Sequence, residues 1–226
     1  MNIALILAGG TGTRFGSDIP KQYIELNKKP VISYCLDKFT AHPLIDAIQI
    51  VADDFWREYI TGFISSDKFR GFSSSGNNRQ LSIFNGLSDI KKYSSENDIV
   101  IIHDAARPLV SEETITLCLE TAANHDGALP VLPMKDTVYL SDNGNNISSL
   151  IDRNKLFAGQ APEAFVFGKY YEANKALFPE KILSINGSTE PAVLAGMDIA
   201  MIAGDENNFK ITTRADFERF KEYINR

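Results

Sequence analysis

The chain has only two cysteines, Cys35 and Cys118, far apart in sequence, and its three histidines, His42, His103 and His125, have no ligand-like spacing. No zinc knuckle is written in it. Gly-Lys-Ser/Thr is absent, which excludes a Walker loop, and so is Gly-x-Ser-x-Gly, the nucleophile elbow of many hydrolases. No apolar run approaches the roughly 18 residues of a membrane span, and no charged-then-apolar leader opens the chain. Positive charge is in deficit: 23 Lys and Arg face 29 Asp and Glu, a net charge of −6 that argues against a basic nucleic-acid-binding face. Both cysteines lie in helix-like segments among apolar neighbours, which predicts buried free thiols and a reducing, cytoplasmic setting.

What is present begins at the first apolar run. Residues 3–7 are β-prone and lead into Ala8-Gly9-Gly10-Thr11-Gly12-Thr13-Arg14-Phe15-Gly16, followed by Pro20-Lys21-Gln22. Glycines without Cβ let backbone N–H groups approach a polyphosphate, and Arg14 and Lys21 supply cations for charge that builds up in phosphoryl chemistry. A dinucleotide fingerprint is excluded, because counting from Gly10 and Gly12 puts Phe15 where the third glycine belongs. A turn that only lets strand and helix pack is the bland alternative, and the paired Arg14 and Lys21 weigh against it.

Apolar runs and helical patterns then alternate. Strands are predicted over residues 3–7, 47–52, 99–103, 127–132 and 198–203, and helices over 30–39, 79–93 and 213–224, with a further helix capped by Ser111 and opened by Glu112-Glu113. Residues 99–103 are so apolar that both faces must be covered, as in a parallel sheet. The order is that of an open α/β sheet, whose ligands sit beyond the C-terminal strand ends. Residues 135–140 and 147–151 read as a hairpin, with Asn143-Gly144 supplying the positive φ angles of a tight turn. It is either an inert insertion or an arm that grips a partner subunit. The whole, 226 residues long, fits one domain spanning 1–226 with an arm at about 135–155.

Three further clusters fall where such a sheet places a site. Gly76, Asn77 and Ser82 offer donors and acceptors for a base edge, although a plain helix N-terminus explains Asn78 equally well. In His103-Asp104-Ala105-Ala106-Arg107-Pro108, Asp104 can hold Mg²⁺ through a phosphate-bound water, and Arg107 can fork onto a substrate phosphate. A structural Asp–Arg pair is the alternative. Lys210 stands beside an otherwise apolar segment, either functional or merely solvated.

In order, the segments Leu7 to Arg14, Pro20-Lys21-Gln22-Tyr23, Gly76 to Leu87, His103 to Pro108, Asp136-Thr137, Asp152-Arg153 and Lys210-Ile211-Thr212 resemble the polyol-phosphate cytidylyltransferases. That family includes the 2-C-methyl-D-erythritol 4-phosphate and the D-ribitol 5-phosphate enzymes. The resemblance implies a Rossmann-like nucleotidyltransferase fold, a mostly parallel sheet, and a homodimer with interlocking β-arms. It implies that the backbone of Ala8, Gly9, Gly10 and Gly12 holds CTP and that Gly76 and Ser82 face cytosine. Arg14, Lys21 and Lys210 would grip the triphosphate with Mg²⁺. Asp104 and Arg107 would lie between nucleotide and polyol phosphate, with Thr137 near, and Arg153 would reach into the other subunit's site. The acceptor's phosphate oxygen is already anionic, so it attacks the α-phosphorus in line without a general base.

Two departures stand out. Where the family carries Gln-Thr-Pro-Gln before a Phe, this chain has Gln160-Ala161-Pro162-Glu163 before Phe165, and a Thr-Asp-Asp/Glu-Ala segment is replaced by Asn186-Gly187-Ser188-Thr189-Glu190-Pro191. Both fall on the polyol side. They point to D-ribitol 5-phosphate as acceptor, with methylerythritol phosphate as the alternative. Outside the family, a UTP- or dTTP-dependent sugar-1-phosphate enzyme and a catalytically silent nucleotide-binding protein are the competing readings. The first generally lacks the His-Asp-Ala-Ala-Arg-Pro wording, and retention of Arg14, Lys21 and Lys210 counts against the second.

Overall fold

The structure, a computed structural model, describes residues 1–12 and 15–225. Its elements in chain order are β1 (Asn2–Leu7), a short pair β2 (Glu25–Leu26) and β3 (Lys29–Pro30), α1 (Val31–Ala41), β4 (Ala47–Val51), α2 (Asp54–Thr61), β5 (Phe69–Ser73), α3 (Arg79–Ile90), β6 (Ile99–Asp104), α4 (Glu112–Ala122) and β7 (Gly127–Pro133). There follow β8 (Val138–Leu140), β9 (Ser149–Ile151), β10 (Phe157–Gly159), β11 (Glu163–Val166), α5 (Phe167–Lys175), α6 (Glu190–Leu194), β12 (Ile199–Ala203) and α7 (Arg214–Ile224). The predicted strands and helices are all there, with small shifts at their ends. The largest is at α3, which stops at Ile90, where a turn bonds Tyr93 N–H to Ile90 O at 3.0 Å.

The main sheet runs β10-β7-β11-β6-β1-β4-β5, with β12 also pairing β7. It is mostly parallel: β1 lies between β4 and β6 in parallel register, β5 adds parallel to β4, and β12 adds parallel to β7. Two strands run the other way: β11, wedged antiparallel between β6 and β7, and β10, antiparallel on β7. Successive side chains in a strand face opposite ways, and both ways lead into protein here. Ala4, Ile6, Ile48, Ile50 and Ile101 face α1 and α4, where Ile32, Leu36, Phe39, Ile115 and Cys118 meet them. Ile3, Leu5, Val51, Val100 and Ile102 face the other layer, built on Ile83, Leu87 and Ile90 of α3 and Tyr170 of α5. Each such side chain contributes roughly 1.5–3 kcal/mol of burial free energy, which fixes the register of the central strands. A third cluster, Phe15, Leu26, Val31, Ile211 and Phe220, seats α7.

Helix starts follow local chemistry. Ser111 Oγ accepts from Thr114 N–H at 3.1 Å, satisfying an otherwise unpaired donor of α4. Thr213 and Asp216 form a reciprocal capping box at α7, so Thr213 is the cap rather than the first helical residue. Cys35 and Cys118 are buried free thiols, and burial pushes Cys35 up to about 12. Among the described residues no helix is long and apolar enough to cross a membrane.

The hairpin exists as the separate pair β8–β9, antiparallel, with Tyr139, Leu140, Ile147 and Leu150 of this segment exposed. Its tip differs from the two-residue Asn-Gly turn expected. Gly144 alone has a positive φ there, 75°, and side chains close a longer loop. Asn143 Oδ1 accepts from the N–H groups of Asn145 and Asn146 at 2.9 and 3.0 Å, and Ser141 Oγ donates to Asn146 O at 2.6 Å. Side-chain acceptors that mimic a backbone turn remove the need for a second left-handed residue.

His103, one residue before the end of β6, is fully buried, its ring 5.1 Å from that of Phe39. Its Nε2 lies 2.9 Å from Arg107 O. A carbonyl only accepts, so Nε2 carries the proton, and among the described residues Nδ1 has no partner. Burial lowers the imidazole to about 4. Because that lies below the unfolded value near 6.5, the unfolded chain takes up the proton first. Stability from this residue is therefore full above about pH 6.5 and is lost as pH falls toward 4. The expected loss is on the order of 3 kcal/mol across that window. Urea unfolding at stepped pH should show it in the wild type and not in His103→Gln; parallel slopes for the two proteins would contradict the assignment.

Candidate active site

Parallel pairing aligns Leu7 of β1 with Asp104 of β6. The glycine loop and the His103–Pro108 segment therefore leave the sheet side by side, at its C-terminal edge. The chain from β5 into α3 arrives two strands further over. These three segments, with Lys21 and Lys210, enclose a cavity of about 390 Å³ lined by Gly9, Gly10, Gly12, Gly76, Asn77 and Ser82 among others.

The glycines are there for different reasons. A Cβ on Gly9 would stand 2.5 Å from Ser75 Cβ, so the fold itself demands glycine at that point. Among the described residues a Cβ on Gly10 would meet nothing within 4 Å, yet Gly10 lines the cavity. No packing contact with the described residues calls for glycine there, and its bare backbone leaves room for a ligand. Behind the loop, Gln22 Nε2 donates to Ala8 O at 2.6 Å and to Gly10 O at 2.7 Å, and the Tyr23 hydroxyl donates to Ala8 O at 2.9 Å. In a trans peptide the N–H points opposite its carbonyl, so the N–H groups of Gly9 and Thr11 are turned away from Gln22. Ala8 itself is buried and does not line the cavity. Arg14 lies outside the described residues.

On the opposite wall, Asn78 caps α3 by accepting from Leu81 N–H at 2.7 Å. Ser82 Oγ accepts from Gly76 N–H and donates to Asn78 O, both at 2.9 Å. That hydroxyl fixes the turn while lining the cavity. The first residue of α3, Arg79, is the residue that sequence reasoning passed over as a helix start. Its Nε donates to Asp104 Oδ1 at 3.1 Å, and Lys210 Nζ donates to Asp104 Oδ2 at 2.9 Å. Arg107 Nε stands 3.8 Å from Oδ2, and its Nη1 donates to Asn208 O at 2.6 Å. Burial alone would raise the Asp104 carboxyl, but Arg79 and Lys210, with Arg107 beyond them, hold it far below the usual carboxylate range. Asp104 is therefore an anion at any working pH.

A second cavity, about 280 Å³, opens on the other side of this cluster and shares Arg79, Asp104 and Lys210 with the first. Arg107, Leu129, Gly159, Ala161, Glu163 and residues 186–189 also line it, so both sequence departures border this cavity. Glu163 is buried, with Arg79 Nη2 3.9 Å from its Oε1. Three cations thus share two carboxylates across the two cavities, an arrangement with positive charge in excess for anionic ligands. Thr137 and Arg153 line neither cavity. Both are exposed at the root of the β8–β9 arm, where Arg153 Nη1 donates to Lys135 O at 2.7 Å.

Residues 2–226 match the IspD family, described as 2-C-methyl-D-erythritol 4-phosphate cytidylyltransferase. A protein of that name from Clostridium beijerinckii is 36% identical over 94% of this chain and 93% of its own length. A ribitol-5-phosphate cytidylyltransferase from Vibrio parahaemolyticus is 35% identical over 99% of this chain and 96% of its own. Among solved structures, the Francisella tularensis 2-C-methyl-D-erythritol 4-phosphate cytidylyltransferase superposes with a TM-score of 0.83 at 26% identity, covering 99% of this chain and 98% of that one. With the family matched over nearly every residue and relatives of both names close to the same identity, the chain belongs to the IspD family of CTP-dependent cytidylyltransferases, which are nucleotidyltransferases.

Proposed function

We propose that the protein transfers CMP from CTP to D-ribitol 5-phosphate and releases pyrophosphate. The observation that carries this reading is the Arg79–Asp104–Lys210 cluster, shared by two adjoining cavities. The glycine-lined cavity takes CTP, and the second takes the acceptor with its phosphate against Arg107 and Lys210. The acceptor's phosphate oxygen then attacks the α-phosphorus, and pyrophosphate leaves toward Lys21 and, by family resemblance, Arg14. Both reacting groups are anions, so the protein's contribution is positioning and cations where charge grows. Ala161, without a hydroxyl, and residues 186–189 shape the acceptor wall, which supports ribitol phosphate over methylerythritol phosphate.

Among the described residues Asp104 is the only carboxylate lining the CTP cavity, and no group of three or more metal-ligating side chains is found. Both Asp104 oxygens already accept from Arg79 and Lys210. That donor set suits Mg²⁺ carried on the triphosphate and touched by Asp104 through water, as is usual for this ion. When bound it neutralises phosphate charge beside Lys21 and Lys210. The exposed apolar side chains of the arm support a homodimer in which Thr137 and Arg153 of the partner subunit complete the acceptor side. The buried free thiols support a cytoplasmic enzyme.

Pyrophosphate release with CTP and Mg²⁺, assayed in parallel on ribitol 5-phosphate and methylerythritol 4-phosphate, tests the acceptor. The higher kcat/KM belongs to ribitol 5-phosphate on this reading, and the reverse order rejects it. Lys21→Ala should lower kcat about 10²–10³-fold while the CTP dissociation constant moves by less than about tenfold. Equal losses would mean that Lys21 binds ground and transition states alike. Gly10→Ala should leave unfolding stability within about 0.5 kcal/mol of wild type and yet weaken CTP binding. A drop in stability with intact CTP binding would return Gly10 to the fold.

A further inference from the structure

Glu163 is the residue of the second cavity that the transfer reaction does not require. It opens β11 in the middle of the sheet, facing Ile102 of β6 across the strand pairing, and is 7% exposed. An acid in that position is costly to bury, and burial pushes its carboxyl upward against the lowering influence of Arg79 and Ser188. Ser188 Oγ lies 2.5 Å from Oε1, and Thr189 Oγ1 donates to Oε2 at 3.0 Å. An ionised carboxylate offers about four acceptor directions. Ser188, which also contacts Oε2, and Thr189 take two of them and Arg79 Nη2, 3.9 Å from Oε1, covers a third, which leaves about one for a ligand in the cavity that Glu163 lines.

Among the described residues most other polar side chains of that cavity are engaged or are cations; Asn186, which is exposed, donates its side-chain N–H to Ser184 O at 3.2 Å. Asp104 accepts from Arg79 and Lys210, while Asn208, beside the cavity, gives its side-chain amide to Ala161 O at 2.7 Å. Ala161 presents no polar side chain. The cavity therefore presents cations, at Arg107 and Lys210, and a buried acid, Glu163, 3.9 Å from Arg79 Nη2, that attracts donors. A ligand that carries both a phosphate and a chain of hydroxyls matches both kinds of group.

We infer that Glu163 is a specificity-determining residue, its carboxylate accepting a hydrogen bond from a hydroxyl of the acceptor's carbon chain while Ser188 and Thr189 hold it in place. This rests on the reading that the second cavity receives the polyol phosphate. It assigns selection for a polyhydroxy chain to an acid that stands where the related family carries glutamine.

The test is a cycle crossing enzyme variant with substrate hydroxyl. Acceptor kcat/KM is measured for the polyol phosphate and for each of its mono-deoxy analogues, with wild type and Glu163→Gln, at saturating CTP. One deoxy analogue should lose about 10- to 100-fold with wild type, the usual range for a hydrogen bond to a charged group. With Glu163→Gln the same loss should shrink to about threefold, and the KM for CTP should stay within about twofold of wild type. CTP-dependent thermal stabilisation reports whether the variant is folded. Glu163→Asp, which keeps the charge but withdraws it by one methylene, gives the same comparison if the amide variant does not fold. Deoxy penalties equal in variant and wild type at every hydroxyl would overturn the inference and leave Glu163 as a prop for residues 188 and 189. The cycle uses whichever polyol phosphate is turned over, so an incorrect ribitol assignment and an incorrect role for Glu163 produce different results.

Discussion

The Asp104 carboxylate, held between Arg79 and Lys210, is the interaction on which the site depends. It joins three parts of the chain that are remote in sequence: the end of β6, the first turn of α3 and the segment before α7. Removing one partner of such a buried group is far more costly than the pair is stabilising, because the remaining charge is left without compensation. The cluster also marks the common wall of both cavities. The proposed reaction between two phosphates needs them adjacent and needs their repulsion offset, and one anion surrounded by Arg79, Arg107 and Lys210 suits both requirements.

The sheet makes that arrangement possible. With β1 and β6 parallel neighbours, their C-terminal ends open to the same side, and two loops of different chemistry meet without a long detour. One is shaped by glycine and by Gln22, which binds the carbonyls of Ala8 and Gly10 from behind. The other is shaped by the neutral His103 ring and the turn it closes on Arg107. In each case a buried polar side chain, rather than apolar packing, fixes the backbone that faces the ligand.

A buried network carries the same order toward the second cavity. Gln80, next to Arg79, donates to Asn174 Oδ1 at 2.5 Å; Tyr170, one turn before Asn174 on α5, donates from its hydroxyl to Ser188 O at 2.7 Å. Ser188 in turn contacts Glu163. The N-terminus of α3, which touches the glycine-lined cavity, is thus tied through α5 to the wall of the second cavity. Satisfied networks of this kind restrict a core to one arrangement, since any rearrangement strands a polar atom.

The sequence by itself determined β1, β4, β6, α1, α4 and α7, because long apolar runs, helical spacing and caps such as Ser111 are local properties. It also determined the glycine loop and the chemical types of Lys21, Asp104, Arg107 and Lys210. It did not announce β5, where Arg70 and Gly71 interrupt the apolar pattern, with φ +124° at Gly71 and a register shift against β4. Nor did it announce β11, a strand that begins with an acid and owes its existence to the edges of β6 and β7 on either side. Arg79 was unreadable for the same reason, and Glu163, although its segment stood out as a departure on the polyol side, showed neither its burial nor its partners. Each acquires its role only from partners 25 to 84 positions away in sequence. Long-range ion pairs leave no periodicity in a sequence; only the tertiary structure decides which charges are buried together and which remain in water.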